Sequence, residues 1–85
     1  MTENLAQHYL DQAQRHYQRG EVEAAITALR LAIKQQQGRF PKAYFLLGKA
    51  FSDAGEIEKA IAAFRTATEQ QPHYPEAYYH LGLAL

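Results

Sequence analysis

Tyr44-Phe45-Leu46-Leu47-Gly48-Lys49-Ala50-Phe51, followed by Ala60-Ile61-Ala62-Ala63-Phe64 and then Pro72, is the stretch whose reading decides the fold. Its apolar positions fall three and four residues apart, the spacing that puts them on one face of a helix. The order of residue types then begins again. Pro75, Ala77 and Tyr78 stand 34 residues after Pro41, Ala43 and Tyr44, and Tyr78-Tyr79-His80-Leu81-Gly82-Leu83-Ala84-Leu85 opens the next copy. A period of this length marks a stacked array, in which each unit buries its apolar face only against its neighbours.

Working outward, Gly20-Glu21 and Gly55-Glu56 divide the chain into helix pairs. Glycine adopts the left-handed conformation that ends a helix, and Glu21 with Glu23, or Glu56 with Glu58, puts carboxylates in the first turn of the next. Arg39-Phe40-Pro41 and His73-Tyr74-Pro75 mark the other junctions, because proline suits the first turn of a helix. These signals predict helices at about 3–18, 21–36, 41–54, 57–70 and 75–85, and no strand. Val22, Ala25, Ile26, Leu29, Ala32 and Ile33 form the buried stripe of the second helix, and Ile57, Ala60, Ile61, Phe64 and Ala67 that of the fourth. Gln35-Gln36-Gln37 and Gln70-Gln71 read as solvated, helix-compatible ends.

The pattern resembles the tetratricopeptide repeat family, with Tyr44 in the place of its Trp and Phe51 in the place of its Tyr. The resemblance implies an all-α fold: a right-handed superhelical array of antiparallel helix pairs, a tetratricopeptide solenoid of five helices and about two and a half repeats. Residues 1–85 are then a single domain, with repeat one at 6–39, repeat two at 41–74 and the first helix of repeat three at 75–85. Repeat two matches at every defining position, including small Gly48, Ala60 and Ala67. Repeat one matches more loosely, since Gln12 and His16 replace apolar residues and Gln37-Gly38 replaces the terminating proline, so its first helix is expected to pack less firmly. Gly20 to Gly55 spans one residue more than the period, which places the extra residue in the Gln37–Phe40 connection.

The nine Lys and Arg balance nine Asp and Glu, so no net field draws the chain to phosphate backbones. With no cysteine there is neither a disulfide framework nor a thiolate metal site. The first twenty residues carry no apolar run of signal-peptide length, and a cytoplasmic location is the expectation. No cofactor is expected. Ser52, the only serine, is followed by Asp53, but adjacent helical residues point about a hundred degrees apart and do not meet as nucleophile and orienting group. His73, Glu76 and His80 have a spacing a zinc ion could use, yet His73 precedes Pro75 in the connection, and a solvated or groove-lining reading is preferred. The chain reads as a non-enzyme.

What remains is a surface. In the family, the first helix of each pair lines the concave side, where ligand peptides lie. Carried over by position, the peptide-binding groove comprises Leu10, Gln14 and Tyr17 of repeat one, Phe45, Lys49 and Ser52 of repeat two, and Tyr79, His80 and Leu83 of the last helix, with Gln7, Gln18, Lys42 and Glu76 on the same inner face. Leu10, Phe45 and Tyr79 occupy equivalent places and are expected to form an apolar ladder; alternatively, they complete the packing of neighbouring helices. The positions of the carboxylate clamp that holds chaperone tails carry Leu10, Gln14, Leu46, Glu76 and His80, with no permanent cation, which argues against that ligand. Leu81, Gly82 and Leu85 are expected to stay partly bare and to support self-association as a homodimer. The function implied is a non-enzymatic interaction module or scaffold for a protein or peptide partner. The alternatives are a structural self-association module and, less favoured, an RNA-binding helical repeat.

Overall fold

A computed structural model describes residues 4–85 of the chain. Five helices follow one another: α1 (Leu5–Gln18), α2 (Val22–Gln35), α3 (Pro41–Asp53), α4 (Ile57–Gln70) and α5 (Pro75–Ala84). There is no strand among the described residues. The expected start of the first helix, at residue 3, lies outside them. Helices α1 with α2 and α3 with α4 form antiparallel hairpins, and α2 against α3 and α4 against α5 stack one hairpin on the next. The molecule is elongated, 42 × 28 × 16 Å. No described helix is long and apolar enough to cross a membrane.

The hairpin turns have a common construction. At the end of α1, Gly20 (φ 78°) donates its N–H to the Tyr17 carbonyl at 3.0 Å and Glu21 donates to the His16 carbonyl at 2.9 Å. At the end of α3, Gly55 (φ 80°) donates to Ser52 at 3.0 Å and Glu56 to Phe51 at 2.9 Å. Both are Schellman closures, which satisfy carbonyls the helix leaves unpaired and need a left-handed residue at the turn. His16, one of the polar replacements in α1, has a place here: its Nδ1 lies 2.7 Å from Glu21 Oε1 and ties the first hairpin shut. At the start of α1 the Asn4 side chain accepts from the Gln7 N–H at 3.1 Å, an N-cap.

The connection from α2 to α3 holds the extra residue and closes with the same pair of bonds, the Gln37 N–H to the Lys34 carbonyl at 3.1 Å and the Gly38 N–H to the Ile33 carbonyl at 2.9 Å. Gln37, not a glycine, takes the left-handed conformation (φ 55°), followed by Gly38 at φ 85°. Gln70, expected to be merely solvated, braces this loop. Its Nε2 donates to the Gly38 carbonyl at 2.7 Å, its Oε1 accepts from the Phe40 N–H at 3.0 Å, and its backbone carbonyl accepts from the Arg39 guanidinium at 3.2 Å. The longer loop is therefore pinned to the end of α4 and fixes how the two hairpins stack.

The core is made of small residues with a few large ones set between them. Ala25, Ala32, Ala43, Ala50, Ala60, Ala67 and Ala77 are completely buried, while Leu10, Leu29 and Phe64 are the largest side chains that are fully enclosed. Helix α1 contributes Ala6, Leu10 and Ala13 to the buried set. Helices α3 and α4 meet tightly at Gly48. A Cβ at Gly48 would come within 2.5 Å of the Phe64 ring, whereas one at Gly82, its equivalent on α5, would meet nothing within 4 Å.

Gly48→Ala forces the buried Phe64 ring or the α3 backbone to move, an overpacking cost of about 1–3 kcal/mol, against a gain of about 1 kcal/mol in helix propensity. We expect a net loss near 1 kcal/mol, lowering the melting temperature by roughly 4–8 °C, while Gly82→Ala leaves it unchanged or raises it. Thermal denaturation of both at low concentration checks this; equal effects of the two substitutions would remove the distinction between the sites.

Candidate functional site

The first helices of the hairpins, α1 and α3, are separated by an open groove of about 270 Å³. Gln14, Tyr17 and Gln18 line it from α1, Leu46 and Lys49 from α3, and Ala13 and Leu29 also border it. The lining residues therefore recur on α1 at intervals of three and four, which set one face of that helix toward α3. Of the residues expected in the groove, this brings Gln14, Tyr17 and Lys49 together.

The rest of that expected set lies elsewhere. Leu10 is 1% exposed and belongs to the same core cluster as Ile26, Leu29 and Ala43. It cannot form part of a surface ladder. Phe45 is half-buried, with its ring centroid 5.3 Å from those of Tyr74 and His80 and 6.0 Å from that of Phe64. His80 in turn stacks on Phe64 at 5.7 Å. These separations are those of interacting aromatic pairs, so Phe45 and His80 form a seam joining α3, α4 and α5. The ladder of Leu10, Phe45 and Tyr79 is thus replaced by packing at two of its three rungs. Tyr79 and Leu83 project from α5 at 66% and 67% exposure, and Ser52 is exposed outside the groove lining.

One arrangement in the groove was not expected. Tyr17 of α1 donates its hydroxyl hydrogen to Asp53 Oδ2 at 2.5 Å, across 36 residues of sequence. Lys49, one turn before Asp53 on α3, does not pair with it. Its Nζ stands 5.5 Å from the ring centroids of both Tyr17 and Phe45. This is cation–π distance on two sides. Lys49 thereby bridges the groove wall and the aromatic seam. Burial, reinforced by the bond to Asp53 and its negative charge, pushes the Tyr17 hydroxyl up to about 12 from its usual 10.0. Tyr74, in the seam, is also raised, by burial and then by the charge of Glu76.

On the face made by the second helices, Arg30 and Lys59 both lie 5.7 Å from the Phe51 ring centroid, above a shallower groove that Tyr44, Leu47 and Ala63 also line. Neither feature has a sequence signal, because the cations come from helices on either side of the ring. No group of three or more His, Cys, Asp or Glu residues placed to hold a metal occurs among the described residues.

Comparison with known proteins gives concordant results. Residues 10–66 match the family model described as Tetratricopeptide repeat, and residues 48–85 match one described as TPR repeat. No curated protein matches the chain. Among solved structures, a crystal structure of MamA superposes with a TM-score of 0.89 at 33% identity, covering 93% of this chain and 46% of that one. A second crystal structure of MamA protein gives 0.88 at 33% identity, covering 93% and 43%. The chain spans less than half the length of either.

Because Tyr17 stays protonated in the fold above the pH at which the unfolded chain ionises, its contribution to stability is complete below pH 10 and is lost as pH rises toward about 12. An ultraviolet titration of tyrosinate is expected to show most of the six tyrosines ionising before a late step that Tyr17→Phe removes. A late step unchanged by that substitution would contradict the assignment.

Proposed function

The chain belongs to the tetratricopeptide repeat family, and from that premise we propose that it works as a non-enzymatic protein–protein interaction module, holding a peptide segment of a partner in the groove between α1 and α3. The observation that carries this reading is the composition of the groove: apolar Leu46, above a floor of buried Ala13 and Leu29, beside two amides, a phenol and a cation. That mixture suits an extended peptide, whose side chains seek apolar contact while its backbone needs hydrogen-bond partners. The proposed contact residues are Gln14, Tyr17, Gln18, Leu46 and Lys49, with Tyr79 and Leu83 extending the surface along α5. The repeats are proposed to divide at 6–39, 41–74 and 75–85.

Phe45→Ala is a poor probe of this surface, since it opens the aromatic seam and lowers stability whatever it does to binding. The triple change Gln14→Ala, Gln18→Ala and Lys49→Ala touches no buried side chain. We expect it to weaken partner retention at least tenfold with the fold intact by circular dichroism, whereas Arg30→Ala with Thr66→Ala, two residues that line the opposite groove, leaves retention unchanged. Loss of the partner with the second variant and not the first would move the site to the other face.

Self-association is a second proposed property, supported by the state of α5. Tyr78, Leu81, Gly82 and Leu85 recur at intervals of three, one and three on one face, the spacing of Tyr44, Leu47, Gly48 and Phe51 on α3. On α3 that face is covered by Phe64; on α5 the space above Gly82 is open and Leu85 is 74% exposed. We propose that a second copy of the chain covers it through its own α5, in a two-fold arrangement that the small Gly82 lets approach closely. Sedimentation at increasing concentration is expected to show a dimer whose dissociation constant rises at least tenfold in Gly82→Arg, with the helix content unchanged. A strictly monomeric wild-type chain at high micromolar concentration would refute it.

A further inference from the structure

Lys49 and Asp53 are four residues apart on α3, a spacing at which a lysine and a carboxylate ordinarily neutralise each other. Here they do not. The Asp53 carboxylate is taken by the Tyr17 hydroxyl across the hairpin boundary, and Lys49 lies between the faces of Tyr17 and Phe45. Among the described residues the only lysine in an ion pair is Lys59, with Glu56, so Lys49 has no carboxylate partner. Aromatic faces hold a cation in place without consuming its hydrogens, which remain available to an acceptor. Gln14 and Gln18 also make no side-chain hydrogen bond within the described residues. No acidic residue lines the groove. Its wall therefore presents unsatisfied donors, one of them charged, next to an apolar surface.

We propose that Lys49 is the specificity point of the groove: it receives a glutamate or aspartate side chain of the partner peptide, and the Tyr17–Asp53 hydrogen bond keeps it available by engaging the acid one turn away on the same helix. This rests on the groove being the binding site. It differs from recognition of a chain-terminal carboxylate, because the ligand is an internal acidic side chain flanked by apolar residues that meet Leu46. Charge complementarity selects this occupant. An internal glutamate supplies an acceptor for the ammonium, and the neighbouring amides bind its backbone. A basic segment would meet like charge at Lys49 and find no carboxylate among the residues that line the groove.

The test uses the 85-residue chain and two acetylated, amidated heptapeptides of leucine and alanine with either glutamate or glutamine at the centre, and a third, the glutamine peptide with a free C-terminus, as a control. Amide chemical shifts of Gln14, Leu46 and Lys49 report occupancy. The glutamate peptide is expected to bind at least threefold more tightly than the glutamine peptide at low salt, with the preference shrinking as salt is raised. Lys49→Gln is expected to abolish the preference. Tyr17→Phe, which keeps the ring but releases Asp53 toward Lys49, is expected to reduce it at least twofold, and adding Asp53→Asn to Tyr17→Phe to restore it. Equal binding of the two peptides at the groove overturns the inference and leaves the groove standing. Shifts from neither peptide overturn both. A preference that survives Lys49→Gln, or tighter binding by a glutamine peptide with a free C-terminus than by the glutamate peptide, overturns the assignment to an internal side chain held by Lys49.

Discussion

Phe64 of α4 fills the space directly above Gly48 of α3, and the rest of the molecule is arranged around how close those two backbones come. Only a residue without a Cβ admits the ring at that distance. Once it is there, Phe64 is nearly inaccessible to water and its other face is free to meet Phe45 and His80. The same contact thus sets the angle of the second hairpin and supplies the platform on which α5 rests. Elsewhere, alanines at the completely buried positions do the same work less severely, bringing helices together by small size more than by apolar bulk.

This division of labour explains why fold and function are written at different positions. The small and aromatic residues that recur at 34-residue intervals determine a shape shared by every array of this kind. The groove is made by residues that do not recur: Gln14 is matched by Lys49 one repeat later, and Tyr17 by Ser52. A peptide meets these side chains and not the repeated ones. The Tyr17–Asp53 bond crosses from one hairpin to the next, so the element that shapes the groove also ties its two walls together.

The helix pairs and their turns could be read from the sequence because their signals are local. Glycines at positions 20 and 55 had to be left-handed, and they are; the extra residue in the second connection is in the loop between Gln36 and Phe40. What escaped was long-range. Leu10 and Phe45 have inner-face positions along their helices, but position does not tell whether a neighbouring element packs over them; Leu10 is buried and Phe45 half-buried against α4 and α5. The local sequence around Asp53 points only to its neighbour Ser52, and nothing in it points to a tyrosine 36 residues away. The glutamine at position 70 looked like any solvated helix end, and its role depends on a loop 32 residues upstream.

The most direct check on the central constraint is the coupling between Gly48 and Phe64, measured by chemical denaturation of Gly48→Ala, Phe64→Leu and the double variant. If the approach of α3 and α4 is set by the ring lying over the glycine, the smaller leucine makes room for the added methyl. The double variant is then more stable than the sum of the single effects allows, by about 1 kcal/mol or more, within the range for residues in contact. Additive effects within about 0.5 kcal/mol would mean that the two residues do not set each other's position, and would contradict the account.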